Sequence, residues 1–349
     1  MMFHLLLMAC LSEDPSTCRQ VLLPEGDAAT LAQCEGAATQ IVPDWLARHP
    51  DLTGGKQHCV ETAALPALTA DEIAPGVFVH HGEPGQIEEA NGGRIANLGF
   101  VVGETVAVID AGASRAEGEA LYAAIRAVTD RPISHLILTH MHPDHSLGAQ
   151  VFAEVGAQIV GHPKLQASLE ARAGNYLPNL NRILGTREML GTVVAMPDGA
   201  PDTVDLGDRV LTLIPAETAH TDNDLMVHDP ATDVLFTGDL VFRDLTPVVD
   251  GSLLGWLDWM GAPPDLNVSL IVPGHGPVAE DWETALAAQD AFLTALRDET
   301  RAAIDAGMPM SDAVPEITRA LEPLAEGWNA FDVNTPRDAT AAYKELEWE

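Results

Sequence analysis

Apolar residues recur in two registers along the chain, and the switches between them mark its organisation. Val77 to His80, Ile95 to Val102 and Thr105 to Ile109 read as strands, the last two joined by a turn at Gly103-Glu104. Ala120, Leu121, Ala124, Ile125 and Val128 then recur at helical spacing. That predicts a helix over about Arg115 to Val128, and Pro132 restarts the chain into a strand at His135 to Leu138. A helix from about Leu147 to Glu154 and a short strand at Gln158 to Val160 continue the alternation. Further strands are expected at Arg209 to Ile214, Leu225 to His228, Val234 to Phe236 and Ser269 to Val272. From Asp281 to about Ala306 the spacing is helical again, as it is near Asp312 to Leu324 and Pro336 to Leu346. Alternating strands and helices of this kind make a layered α/β fold.

The stretch before Ile73 differs, with a short helix expected around Pro43 to His49 and a Gly54-Gly55 turn. It also holds every cysteine, Cys10, Cys18, Cys34 and Cys59, which read as disulfides with three pairings open; their spacings lack the paired knuckles of a structural zinc site. Phe3 to Leu11 is apolar apart from His4 but far too short to span a bilayer. Leu7-Met8-Ala9-Cys10 looks like a lipoprotein cleavage box. The segment ahead of it is shorter than a usable signal, so the reading is a first strand or helix of a folded extension. Three parts result: an extension over residues 1–70, a body over 71–280, and C-terminal helices over 281–349 packed on the body. The disulfide reading places the protein in the periplasm or outside the cell.

Charge narrows the partners. The chain of 349 residues carries 18 Lys plus Arg against 52 Asp plus Glu, a formal charge of −34 that repels phosphate backbones and anionic lipid. Nucleic acid is thereby disfavoured, and 46% hydrophobic with 20% charged residues is an ordinary globular balance.

The chemistry gathers where strands end. After Leu136-Ile137-Leu138 comes Thr139-His140-Met141-His142-Pro143-Asp144-His145, three imidazoles and a carboxylate in six residues. In extended backbone His140 and His142 point the same way and reach one metal, while the following turn lets Asp144 and His145 reach a second. Such N and O donors suit zinc above all, with iron or manganese as alternatives. Three more positions follow strands or turns: His220 in Ala219-His220-Thr221, Asp239 in Thr237-Gly238-Asp239, and His275 in Pro273-Gly274-His275-Gly276.

In this order, the set resembles the metallo-β-lactamase superfamily over roughly residues 73–280. The resemblance implies an αββα sandwich of two facing sheets with helices outside and metals at one edge. It implies that His140, His142 and His220 hold a first zinc, that Asp144, His145 and His275 hold a second, and that Asp239 bridges them. A hydroxide shared by two zinc ions would then attack an ester, thioester, lactone or lactam, with Asp144 orienting it and shuttling its proton. Asp110, in Val108-Ile109-Asp110-Ala111-Gly112, matches the superfamily's strand-ending Asp that orients a histidine ligand. Thr139 and Asp224 are further candidates to hydrogen-bond ligands.

Departures narrow the class. His142 stands where flavodiiron oxygen reductases carry Glu, and Asp239 resembles glyoxalase II rather than the cysteine-ligand lactamases. None of Lys56, Lys164 and Lys344 sits where glyoxalase II relatives bind glutathione with basic residues, which disfavours a glutathione thioester. A mononuclear iron dioxygenase acting on sulfur shares H-x-H-x-D-H and is the enzymatic alternative. Ile73 to His80, Arg94 to Gly103 and Asp250 to Trp256 resemble the quinoprotein relay system zinc metallohydrolases, the SoxH-related group. That implies a periplasmic quinoprotein dehydrogenase partner, on which a metal-containing scaffold would dock as the non-enzymatic alternative. Residues 172–191, with Tyr176, are read as a lid or a surface helix, and Trp256 with Trp259 as a pocket wall or a packing pair.

Overall fold

In the computed structural model, which describes residues 2–348, the apolar run near the start is a central strand. β1 (Phe3–Leu11) lies between β2 (Cys18–Ala28) and β3 (Leu52–Glu61), antiparallel to both, and α1 (Leu31–Arg48) covers one face. Leu5, Leu7 and Ala9 pack with Cys34, Ala38, Val42 and Trp45 of α1, whereas Leu6 and Leu22 join the core on the other side. Burial on both faces is why β1 shows no polar alternation. The expected short helix at Pro43 is instead an 18-residue helix running through that proline. Its buried stripe of Cys34, Ala38, Val42 and Trp45 outweighs the missing N–H. The disulfides are Cys10–Cys18, joining β1 to β2, and Cys34–Cys59, joining α1 to β3.

The next sheet takes β4 (Asp71–Ala74), β5 (Val77–His80), β6 (Leu98–Val102) and β7 (Val106–Ile109). After α2 (Arg115–Val128) it takes β8 (Ile133–Leu138) and, after the short α3 (Pro143–Ser146) and α4 (Gln150–Glu154), β9 (Gln158–Gly161). Its six strands lie in sequence order, parallel from β7 to β9. The helix expected at Leu147 to Glu154 forms only over Gln150–Glu154, and the separate turn before it, α3, is started by Pro143 at its N1 position. α5 (Leu165–Leu184) and α6 (Thr186–Met189) lead to a five-stranded sheet. It contains β10 (Thr203–Asp205), β11 (Val210–Pro215), β12 (Leu225–Asp229), β13 (Val234–Phe242) and, after α7 (Leu253–Gly261), β14 (Leu270–His275). α8 (Trp282–Asp305), α9 (Met310–Leu321) and α10 (Phe331–Leu346) follow.

The two larger sheets face each other across Val79, Val101, Ile109, Ile137, Val227, Phe236 and Val272. α2 and α4 cover the six-stranded sheet, and α7 to α10 pack outside the five-stranded one. This is the αββα sandwich with an added N-terminal layer. Buried Arg115 of α2 fixes that layer: it donates to Glu119, Glu154 and the Leu22 carbonyl and lies over the Trp45 ring. Arg19 of β2 reaches Glu119 and the Leu190 carbonyl, and Asp27 meets both His4 and the Tyr122 hydroxyl.

Candidate metal centre

β8 ends in the buried run Leu136 to Leu138, and the chain then turns so that His142, still extended, caps α3. His140 and His142 leave the extended part, and Asp144 and His145 sit in the first helical turn. His220 lies in the loop between β11 and β12, Asp239 within β13, and His275 at the end of β14. Two glycines allow this convergence. Gly238 has φ +51° and a Cβ there would stand 2.6 Å from the Thr139 Cβ, while a Cβ on Gly274 would collide with the Asp239 carboxylate.

All seven expected side chains meet at one edge of the sandwich. His140, His142, His220 and Asp239 form one group and Asp144, His145 and His275 another, each with donor atoms within 4.8 Å of one another. Asp239 stands between the groups. Its Oδ1 is 3.1 Å from His145 Nε2, and its Oδ2 is 3.3 Å from His275 Nε2, 3.5 Å from His220 Nε2 and 3.7 Å from His140 Nε2. Asp144 Oδ2 lies 3.5 Å from His275 Nε2 and 3.7 Å from His145 Nε2.

The far side of each ring sets its direction. His145 Nδ1 donates to Asp110 Oδ2 at 2.8 Å, His275 Nδ1 to the Ile95 carbonyl at 2.8 Å, and His220 Nδ1 to the Val248 carbonyl at 2.6 Å. His140 Nδ1 meets the Thr139 hydroxyl at 3.0 Å, which itself donates to Asp110. Each of these four therefore turns Nε2 inward. His142 is reversed: its Nε2 bonds Asp250 Oδ2 at 3.0 Å, and its Nδ1 faces His220 Nε2 at 2.9 Å. Asp110 adopts φ +59° and also accepts the Thr139 backbone N–H, so one carboxylate at a left-handed turn orders two rings.

These residues fit a pair of cations. His140 Nε2, His145 Nε2 and Asp239 Oδ1 are buried and complete no hydrogen bond, although buried polar atoms nearly always do. The electrostatics agree. Burial holds His220 down to about 3 and, with its imidazole neighbours, keeps His140 well below the usual histidine range. Against burial, Asp239 raises both His145 and His275, and those rings with His140 hold Asp239 well below an ordinary carboxylate. Asp239 thus stays an anion among inward-facing nitrogens, a donor set of the kind that holds borderline dications.

Several contributors have roles that the sequence does not announce. Asp250 orients His142 from 108 positions away, and Asn97 Nδ2 holds the Pro273 and Gly276 carbonyls on either side of His275. Asp338 of α10 accepts the Val249 N–H, and Glu345 accepts the Ser252 hydroxyl and Leu253 N–H, so the last helix grips the loop that serves His220 and His142. Other expected residues have plainer roles. Asp224 bonds the Thr221 N–H and hydroxyl rather than a ring of the centre. Trp256 packs behind His220 with its indole N–H on the Leu240 carbonyl, and Trp259 packs on Trp282, so neither forms a pocket wall.

The family model for the metallo-beta-lactamase superfamily matches residues 91–275, more than half of the chain. The chain belongs to the metallo-beta-lactamase superfamily. Among curated relatives, it is 30% identical over 138 residues to the acyl-coenzyme A thioesterase MBLAC2 of Gallus gallus, covering 35% of this chain and 44% of that protein. It is 28% identical over 111 residues to a hydroxyacylglutathione hydrolase of Erythrobacter litoralis, covering 32% of this chain and 35% of that protein. The matches thus span less than half the length of these relatives. A metallo-beta-lactamase from Pontibacter korlensis superposes with a TM-score of 0.51 at 20% identity, over 65% of this chain and 99% of that one. The sec-alkylsulfatase Pisa1 from Pseudomonas sp. gives 0.59 at 16% identity, over 80% and 50%. These structural likenesses establish the fold.

Proposed function

We propose that the protein is a dinuclear zinc hydrolase that cleaves an ester or thioester, with lactones and lactams as the neighbouring classes. The observation that carries this reading is Asp239, one buried carboxylate whose two oxygens face nitrogens of both donor groups. In this reading His140, His142, His220 and Asp239 hold one ion, and Asp239, Asp144, His145 and His275 hold the other. Two bound dications would supply an acidified water and a Lewis acid for the substrate carbonyl. Asp144, beside His275 and His145, takes the proton from the attacking water and passes it to the departing sulfur or oxygen as the carbon–sulfur or carbon–oxygen bond breaks. Asp110, Thr139 and Asp250 keep the rings aimed. The thioesterase and hydroxyacylglutathione hydrolase relatives support thioesters as the first class to test. The two disulfides support an oxidising compartment, periplasmic or extracellular.

The test is elemental mass spectrometry on protein purified without added metal, followed by a panel of esters, thioesters, lactones and lactams. The expected result is near two zinc per chain with turnover abolished by a chelator. About one iron per chain, with oxygen uptake on a persulfide, would overturn the reading.

A further inference from the structure

One face of α5 is polar at every fourth position: Lys164 at its N-cap, then Ser168, Arg172 and Tyr176. This spacing stacks side chains on a single helical stripe. The stripe faces the loops of the metal edge. Ser168 donates to Asp222 Oδ1 at 3.1 Å, two residues beyond His220. Arg172 Nη1 lies 3.1 Å from Asp250 Oδ2, the oxygen that His142 Nε2 bonds at 3.0 Å. The Arg172 side chain is 39% exposed, and besides Asp250 its guanidinium interacts with the Tyr176 hydroxyl one turn on. The Tyr176 hydroxyl is buried against it, within the fields of Asp250 and Asp144, and its own proton has no acceptor among the described residues. A buried hydroxyl with a proton to donate and a part-exposed five-donor guanidinium, one turn apart, form a fork for an oxyanion. This cation also acts on Asp222 and Asp250, in a chain of net charge −34 that otherwise repels anions.

We propose that Arg172 and Tyr176 form a substrate-binding subsite for a carboxylate carried on the acyl portion of the substrate, so that the protein acts on the half-esters or half-thioesters of dicarboxylic acids. Arg172 keeps one N–H on Asp250 and turns the others to the carboxylate, and Tyr176 donates to one of its oxygens. The inference rests on the hydrolase reading for the identity of the reacting bond.

The test compares mono-para-nitrophenyl glutarate with para-nitrophenyl butyrate on zinc-loaded protein. A charge-assisted pair of this kind gives the glutarate ester an advantage in kcat/KM of roughly tenfold to a hundredfold. Arg172→Met removes most of that ratio, Arg172→Lys keeps part of it, and Tyr176→Phe lowers it by a few-fold. Equal loss on both esters in Arg172→Met, or no preference in the native protein, would overturn the subsite. If neither ester is cleaved, ester hydrolysis fails as a reading and calorimetry decides the subsite alone. Glutarate should then bind at least about tenfold tighter than butyrate, with the difference gone in Arg172→Met; equal binding overturns it.

Discussion

Replacing Glu117 by Gln should remove a pH dependence of folding, and the structure sets its window. Glu117 is fully buried near the start of α2, where its Oε2 accepts the Ala113 N–H at 2.7 Å and its Oε1 has no partner. Burial pushes its carboxyl from 4.5 up to about 8, against the opposing pull of the Ala113 N–H and Arg94. Between those two values the folded protein keeps a proton that the unfolded chain has released, so the native state binds more protons and stability falls as pH rises. The contribution is complete below pH 4.5 and gone above about 8. One proton over this window is worth about 1.4 kcal/mol per pH unit, with a ceiling of roughly 5 kcal/mol. Gln mimics the protonated acid and does not titrate. In urea unfolding at a series of pH values and constant zinc, the difference between the native protein and Glu117→Gln should therefore slope by that amount. Titrations common to both proteins cancel in the difference. A constant difference across the window would refute the argument, because it would mean that Glu117 folds as readily ionised as protonated.

Three further outcomes follow from the geometry. Asp110→Asn disturbs the acceptor shared by Thr139 and His145 and should weaken metal binding about tenfold to a hundredfold, read by competition with a metal-sensitive dye. Among the donor rings Asp250 bonds only His142, so in Asp250→Asn elemental analysis after dialysis should show one of two ions preferentially lost; equal loss of both would contradict the assignment of His142 to one group. Replacing Cys34 and Cys59 by Ser opens a crosslink spanning 25 positions and should cost about 3 kcal/mol in urea unfolding. Buried Trp45, on the helix that this disulfide anchors, reports the change by fluorescence.

The parts legible in the sequence are those whose cause is local. His140, His142, Asp144 and His145 sit in one turn after an apolar strand, so their spacing alone announces a metal site. His220, Asp239 and His275 are single residues, readable only because they occur in a family's order. Asp250, Asn97 and Asp338 act on groups far along the chain, and no window of sequence contains both partners. The layered α/β body followed from periodicity, as did α2 and α8. Pro43 misled because a proline marks a helix start by local rules, whereas the packing of Cys34, Ala38, Val42 and Trp45 carries the helix through it. The unbroken apolar run of β1 has the same ambiguity: burial on both faces erases the alternation that would distinguish a strand from an export segment.

The grip of α10 on the loop from Val248 to Leu253 has a consequence for the order in which the molecule is assembled. His275 is the last of the seven donors to leave the ribosome, yet the carbonyl that turns His220 and the carboxylate that turns His142 are steadied by Asp338 and Glu345, which emerge later. A nascent chain holding every donor still lacks the bracket for two of them. A chain interrupted before Phe331 would carry all seven donors and keep the Asp250 N–H to His220 and Ser252 N–H to Ala219 backbone bonds in this loop, but not the Asp338 and Glu345 bonds. It should bind metal more weakly than the full chain in a dye competition.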